Sequence, residues 1–146
     1  MNPLFISTVK YDKLTANGVN KTVSEQYLFD AESFTDAEAR TIEKLKPYIP
    51  GDFSIPRISK AQFSSLCLSD NLSDEHFYKV KVAFITLDEK TGVEKRKNVY
   101  ILVQAYDFKR AYKTFLEHMS DTISDFEIVS IAEMPIIEYF PLDEQN

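Results

Sequence analysis

Two histidines, His76 and His118, and one cysteine, Cys67, supply all the imidazole and thiol in 146 residues. That supply builds none of the common zinc sites without borrowing carboxylates. A Cys–His nucleophilic pair needs Cys67 beside one of the rings and a further group to orient the base, and nothing in the spacing arranges this. Cys67 sits inside Leu66-Cys67-Leu68, the setting of a buried, inert thiol. His76 falls at a polar linker and His118 on a helix, so both read as surface residues. Two adjacent carboxylate pairs remain, Asp88-Glu89 and Asp143-Glu144. Acid–base catalysis requires carboxyls whose environments separate their pKa values, whereas both pairs fall in predicted loops and ends, where carboxylates are solvated. Asp88-Glu89-Lys90-Thr91-Gly92 resembles the start of a calcium loop but lacks the alternating acidic ligands and the bidentate Glu. Three Gly leave little for a phosphate-cradling loop. These residues predict no catalytic centre, metal site or cofactor, and the chain reads as a non-enzyme.

What is left is surface chemistry. The 17 Lys and Arg against 23 Asp and Glu give a net charge of −6, which argues against non-specific binding to phosphate backbones. The distribution is uneven. Between Phe77 and Met119 nine basic residues stand against five acidic ones, so that stretch is +4 and the remainder −10. Within it, Lys79, Lys81, Lys95, Arg96 and Lys97 surround Tyr78 and Tyr100, residue types that neutralise and stack on single-stranded nucleic acid. No motif of the RNA-recognition type accompanies them. The longest apolar run, Val99-Tyr100-Ile101-Leu102-Val103, is far below the ~20 residues of a membrane helix, which predicts no membrane partner. Met1-Asn2-Pro3-Leu4-Phe5-Ile6-Ser7 lacks a basic leader and an apolar core, and a lone Cys forms no internal disulfide, so a cytoplasmic location is expected.

The elements that must position these residues come in two similar sets. Sliding the sequence on itself by 74 places sets Phe5–Leu45 against Lys79–Met119 without a gap, and eight of 41 pairs are identical, among them Gly18/Gly92, Leu28/Leu102, Ala31/Ala105, Phe34/Phe108 and Ala37/Ala111. Average compositions would give about two or three. Each set opens with an extended run, Phe5 to Tyr11 or Tyr78 to Ile85, and the second alternates cleanly through Tyr78, Val80, Val82 and Phe84. A turn follows in which Gly18 or Gly92 supplies positive φ, and then a dense apolar return strand, Val23 to Ala31 or Lys97 to Ala105. The period then becomes helical. Thr35-Asp36-Ala37-Glu38 fits a capping box, with Ala39, Ile42, Leu45 and Ile49 as the inward stripe. In the second helix Phe108, Ala111, Tyr112, Phe115 and Met119 share a face.

A third strand closes each set once one residue of offset is conceded, Asp52-Phe53-Ser54-Ile55 against Asp125-Phe126-Glu127-Ile128. Pro56 marks an edge strand or a bulge. A further extended piece follows in each, Gln62 to Leu68 and Ile136 to Phe140. The expected fold is α+β, a tandem duplication of a ββαβ unit, with antiparallel sheets and one helix per repeat. The repeats span 1–72 and 73–146. Each alone is marginal in size, so they are expected to form one pseudo-symmetric domain, either joining edges into one continuous antiparallel sheet or packing face to face. Tyr11, Tyr27, Tyr78 and Tyr100 are placed on the exposed or inter-repeat face.

The run from Val23 to Arg40, with Tyr78 to Gly92, resembles an uncharacterised family of small stand-alone proteins from Bacteroidetes and their phages, classed as a domain of unknown function. The resemblance covers nearly the whole chain and implies a cytoplasmic bacterial or phage protein; it carries no activity or site residues. Function is therefore expected to be that of a non-catalytic binding or assembly module. It would act through an exposed sheet face or edge, on an unknown protein partner or by self-association. Single-stranded nucleic-acid binding by the Phe77–Met119 segment is the alternative.

Overall fold

The computed structural model describes residues 2–142. Its elements run β1 (Leu4–Leu14), β2 (Asn20–Asp30), α1 (Phe34–Leu45), β3 (Phe53–Ala61), β4 (Ser65–Cys67), β5 (His76–Leu87), β6 (Glu94–Ala105), α2 (Phe108–His118), β7 (Asp125–Met134) and β8 (Ile136–Phe140). The fold is α+β. They form two four-stranded sheets, ordered β3-β1-β2-β8 and β4-β6-β5-β7. The single continuous sheet considered from sequence is not made. Nor are the sheets wholly antiparallel, because β8 lies parallel to β2 and β4 parallel to β6.

Those two parallel strands divide the chain differently from its sequence repeats. The compact units are residues up to Ala61 together with those from Ile136 on, and Gln62–Pro135. The short strand that follows the first ββαβ run therefore closes the second unit's sheet, and the strand that follows the second run closes the first unit's. A β4 of three residues leaves no local mark that decides which sheet it joins. The boundary expected from the sequence is 72/73, while the compact bodies are cut at 61/62 and 135/136.

Within each unit the ladder fixes the correspondence of residues. The first hairpin pairs Phe5 with Phe29 and the second pairs Tyr78 with Val103, so β1 matches β5 at an offset of 73 while the return strands match at 74. The turn of the second hairpin holds the extra residue. A one-residue slip exchanges the faces of a strand, and the gap-free alignment therefore misplaces β1. The corrected offset aligns Val9 with Val82 and Tyr11 with Phe84, and both pairs lie toward the helix. Gly18 (φ 77°) and Gly92 (φ 70°) occupy the two turns as expected. The edge strands β3 and β7 carry equivalent bulges, opposite Thr8/Lys10 and Lys81/Val82, and Pro56 lies in the first of them.

The helix starts differ from the sequence expectation. The N-cap of α1 is Ser33, whose hydroxyl accepts from Asp36 N–H at 3.1 Å, while the Asp36 carboxylate accepts from Glu32 N–H at 2.9 Å. The reciprocal cap is thus two residues earlier than Thr35. Asp107 caps α2 in the same place, accepting from Arg110 N–H at 2.8 Å. Ala37, Thr41, Leu45 and Ile49 form the buried stripe of the first helix region, with Ala39 and Ile42 outside it. Thr41 escapes a hydropathy reading because its hydroxyl is satisfied internally, donating to Ala37 C=O at 2.6 Å and lying 2.7 Å from Ser7 Oγ. On α2, Ala111, Phe115 and Met119 are buried, while Phe108 and Tyr112 stand at the margin, 56% and 45% exposed.

Candidate interaction surface

The residues with chemical potential are dispersed. Cys67, on β4, is half-buried rather than buried as expected; it packs against the second core, where burial first and the Glu117 charge second push its thiol pKa up and keep it protonated. His76 opens β5, its Nδ1 3.3 Å from a Glu133 carboxylate oxygen. His118 closes α2 and lies 3.4 Å from Ser65 Oγ, an exposed contact that becomes visible only once β4 is placed on β6. Asp88 shapes the second hairpin turn, its carboxylate accepting from Lys90 N–H at 2.9 Å. Asp143-Glu144 lies outside the described residues. Among the described residues no group of three or more His, Cys, Asp or Glu is placed to hold a metal ion.

The residues proposed for nucleic acid fall on two faces of one sheet. Alternation along the β5–β6 ladder puts Tyr78, Lys95 and Lys97 on the helix side and Lys79, Lys81, Arg96 and Tyr100 on the other. Tyr78 is buried against the core and offers no stacking surface. Its burial, with Glu133 and Asp107 nearby, raises its pKa. On the opposite face, the Lys79 ammonium lies 5.2 Å from the centre of the Tyr100 ring, and Arg96 pairs with Glu127 at 2.9 Å. Of the four tyrosines expected on an open face, Tyr27 and Tyr78 are buried and Tyr11 packs beside Tyr27 on the helix side. Only Tyr100 lies away from the helix.

Burial instead leaves a different surface open in each unit, the groove between the helix and the edge strand. In the second unit it measures about 690 Å³ and is lined by Phe108 and Tyr112 of α2 with Phe126, Glu127, Ile128 and Ile131 of β7. In the first, two adjoining hollows of about 390 and 320 Å³ share Glu38 and Ile55, with Phe34 and Ile42 on the helix, Phe53 and Ile58 on the strand, and the charged Lys46, Asp52 and Arg57 also in the lining. The linings correspond, Phe34 with Phe108, Phe53 with Phe126, Ile55 with Ile128 and Ile58 with Ile131. Phe34 and Phe108 are the first helical residues, where an inward-facing partner is not required, and each is more than half exposed. The outer side of each groove is a strand hydrogen-bonded along one side only, β3 to β1 and β7 to β5. Such an arrangement can accept an added strand through its backbone and apolar side chains through the groove.

The model of the family described as Domain of unknown function (DUF4494) matches residues 4–142, and the chain belongs to that family. No curated protein and no solved structure matches the chain. No helix among the described residues is long and apolar enough to cross a membrane.

Proposed function

We propose that this member of the family is a non-catalytic binding or assembly module, built by duplication of a ββαβ unit and acting through the helix–edge grooves and the strands beside them. The observation that carries the reading is the recurrence of an open groove between helix and edge strand at equivalent places in both units, walled by aromatic and aliphatic side chains in the second and carrying Glu38, Lys46, Asp52 and Arg57 as well in the first. Exposed aromatic and aliphatic groups beside a free strand edge suit capture of an extended partner segment, in which main-chain bonds give affinity and the groove gives selectivity.

Affinity capture from cells of the source organism tests it, comparing the wild-type chain with Phe108→Asp/Tyr112→Asp and with Lys79→Glu/Lys81→Glu. The groove variant is expected to lose the captured partner and the sheet-face variant to keep it. Equal capture by all three contradicts the reading, and so does a turnover abolished by substituting Cys67, His76 or His118. Oligonucleotide binding that weakens steeply with salt and is lost on replacing Lys95, Arg96 and Lys97 together would favour the nucleic-acid alternative, which the division of its residues between two faces does not support.

A further inference from the structure

We infer that the partner of the β3 edge is the β7 edge of a second copy of this chain, an inference that rests on the module reading above. Both strands pair along one side only; so do β8 and β4 at the opposite ends of the sheets, but these have five and three residues against nine and ten in β3 and β7. Their charges are opposite. Within β3 the ionisable residues are Arg57 and Lys60, both basic; within β7 they are Asp125, Glu127 and Glu133, all acidic. Two β3 edges or two β7 edges brought together set like charges against each other, while β3 against β7 brings a basic edge to an acidic one, with Arg57, Asp125 and Glu127 on the face away from the helices and Lys60 and Glu133 on the helix side.

The charges are available at the surface. Arg57, Lys60, Asp125, Glu127 and Glu133 are all exposed. The internal pairs already made by the acidic edge, Arg96–Glu127 and His76–Glu133, are between side chains that are each about half exposed, so they compete weakly.

Apolar surface flanks both edges on the helix side. Phe34 and Ile42 rise beside β3 at 54% and 44% exposure, and Phe108 and Tyr112 beside β7 at 56% and 45%. Placing the two edges together with their helices on the same side brings these four groups to one seam, which accounts for their exposure in both units. Pro56 cannot donate to a ladder, and Val129 breaks the regular register of β7, so backbone pairing by itself is blunted and selectivity passes to the side chains. The contact joins two different surfaces and each copy carries one of each, so it produces either reciprocal closed assemblies or longer runs.

Sedimentation velocity of the full chain, at concentrations up to about 500 µM and at low and high salt, tests the inference. The wild-type mass is expected to rise with concentration and to fall back as salt screens the edges. Arg57→Glu/Lys60→Glu and, separately, Asp125→Lys/Glu133→Lys should each weaken association by more than about tenfold. A mixture of these two variants restores two attractive pairings, the unchanged β7 of the first with the unchanged β3 of the second and the two reversed edges with each other, and should associate where neither variant does alone. A wild-type chain that stays monomeric throughout overturns the inference, as does association that survives either reversal or is not regained in the mixture. These results leave the module reading intact, because that reading falls on turnover or on capture that ignores the groove.

Discussion

Ser7 of β1 and Thr41 of α1 meet through their hydroxyls in the core of the first unit, and the equivalent positions in the second unit are Val80 and Phe115. A second contrast lies farther along the same hairpins. Glu25 accepts from Tyr11 Oη at 2.5 Å and from Tyr27 Oη at 3.4 Å, where the second unit has Val99, Phe84 and Ile101. Both units share a strand order, an equivalent bulge and helix caps at the same place, and both pack apolar side chains between helix and sheet, yet at these positions one has satisfied polar pairs and the other aliphatic and aromatic packing. Backbone geometry tolerates either filling because each buried hydroxyl has a partner within its own unit.

That contrast can be broken most severely in the second unit. Phe115 is fully buried, and Phe115→Ala should cost about 3–5 kcal/mol in urea unfolding, with amide protection lost first along β5 and β6. At the equivalent place Thr41→Val preserves volume but removes the acceptor of the Ser7 hydroxyl. A loss of about 1–3 kcal/mol is expected, and Ser7→Ala/Thr41→Val should recover most of it, since neither hydroxyl is then left unpaired. A double variant no more stable than the single one would show that the hydroxyl pair does not control the first core.

The closing strands offer a finer comparison. Tyr139 Oη donates to Asp30 at 2.8 Å, and Leu142 N–H donates to the same carboxylate at 3.4 Å. In the second unit Ser69 N–H donates to Gln104 Oε1 at 3.0 Å, the matching latch, while Leu66 takes the place of Tyr139. Tyr139→Phe should therefore cost about 1 kcal/mol, seen as faster exchange of the β2 amides and unchanged exchange in β6.

The smallest expected effect is a pH dependence. The hydrogen bond to Glu25, then partial burial, then the Glu25 charge raise the Tyr11 pKa to about 12 from an ordinary 10.0. An acid whose folded pKa lies above its unfolded one contributes stability in full below pH 10, and that contribution is lost as pH climbs toward 12. In Tyr11→Phe, which copies the Phe84 arrangement, this part of the alkaline destabilisation should vanish. An alkaline unfolding profile identical to that of the wild type would contradict the assignment.

Much of the fold was legible because it depends on local signals. Gly18 and Gly92 announced the turns, Pro56 the interrupted edge strand, and the apolar return strands the centres of the sheets. The third strands aligned at the correct one-residue offset. Thr41 was not legible, since a buried hydroxyl reads as polar until its partner 34 residues away is known. The slip of β1 was hidden by a loop one residue longer in the second hairpin, whose length only the pairing register reveals. The destination of β4 and β8 depends on long-range pairing and leaves no local trace. The proposed nucleic-acid residues were close in sequence, but strand alternation sent Lys95 and Lys97 to one face and Arg96 to the other. The grooves could have been found from Phe34/Phe108 and Phe53/Phe126, aromatic pairs shared by both halves, had exposure been distinguishable from burial.

The correspondence of the closing strands depends on each unit's sheet ending in a strand that follows the other ββαβ run. Cross-strand nuclear Overhauser effects in the intact chain test that most directly. The account predicts contacts between the backbones of Leu28 and Tyr139 and of Leu66 and Leu102, in the parallel pattern. Contacts from Tyr139 to β6, or from Leu66 to β2, would contradict it.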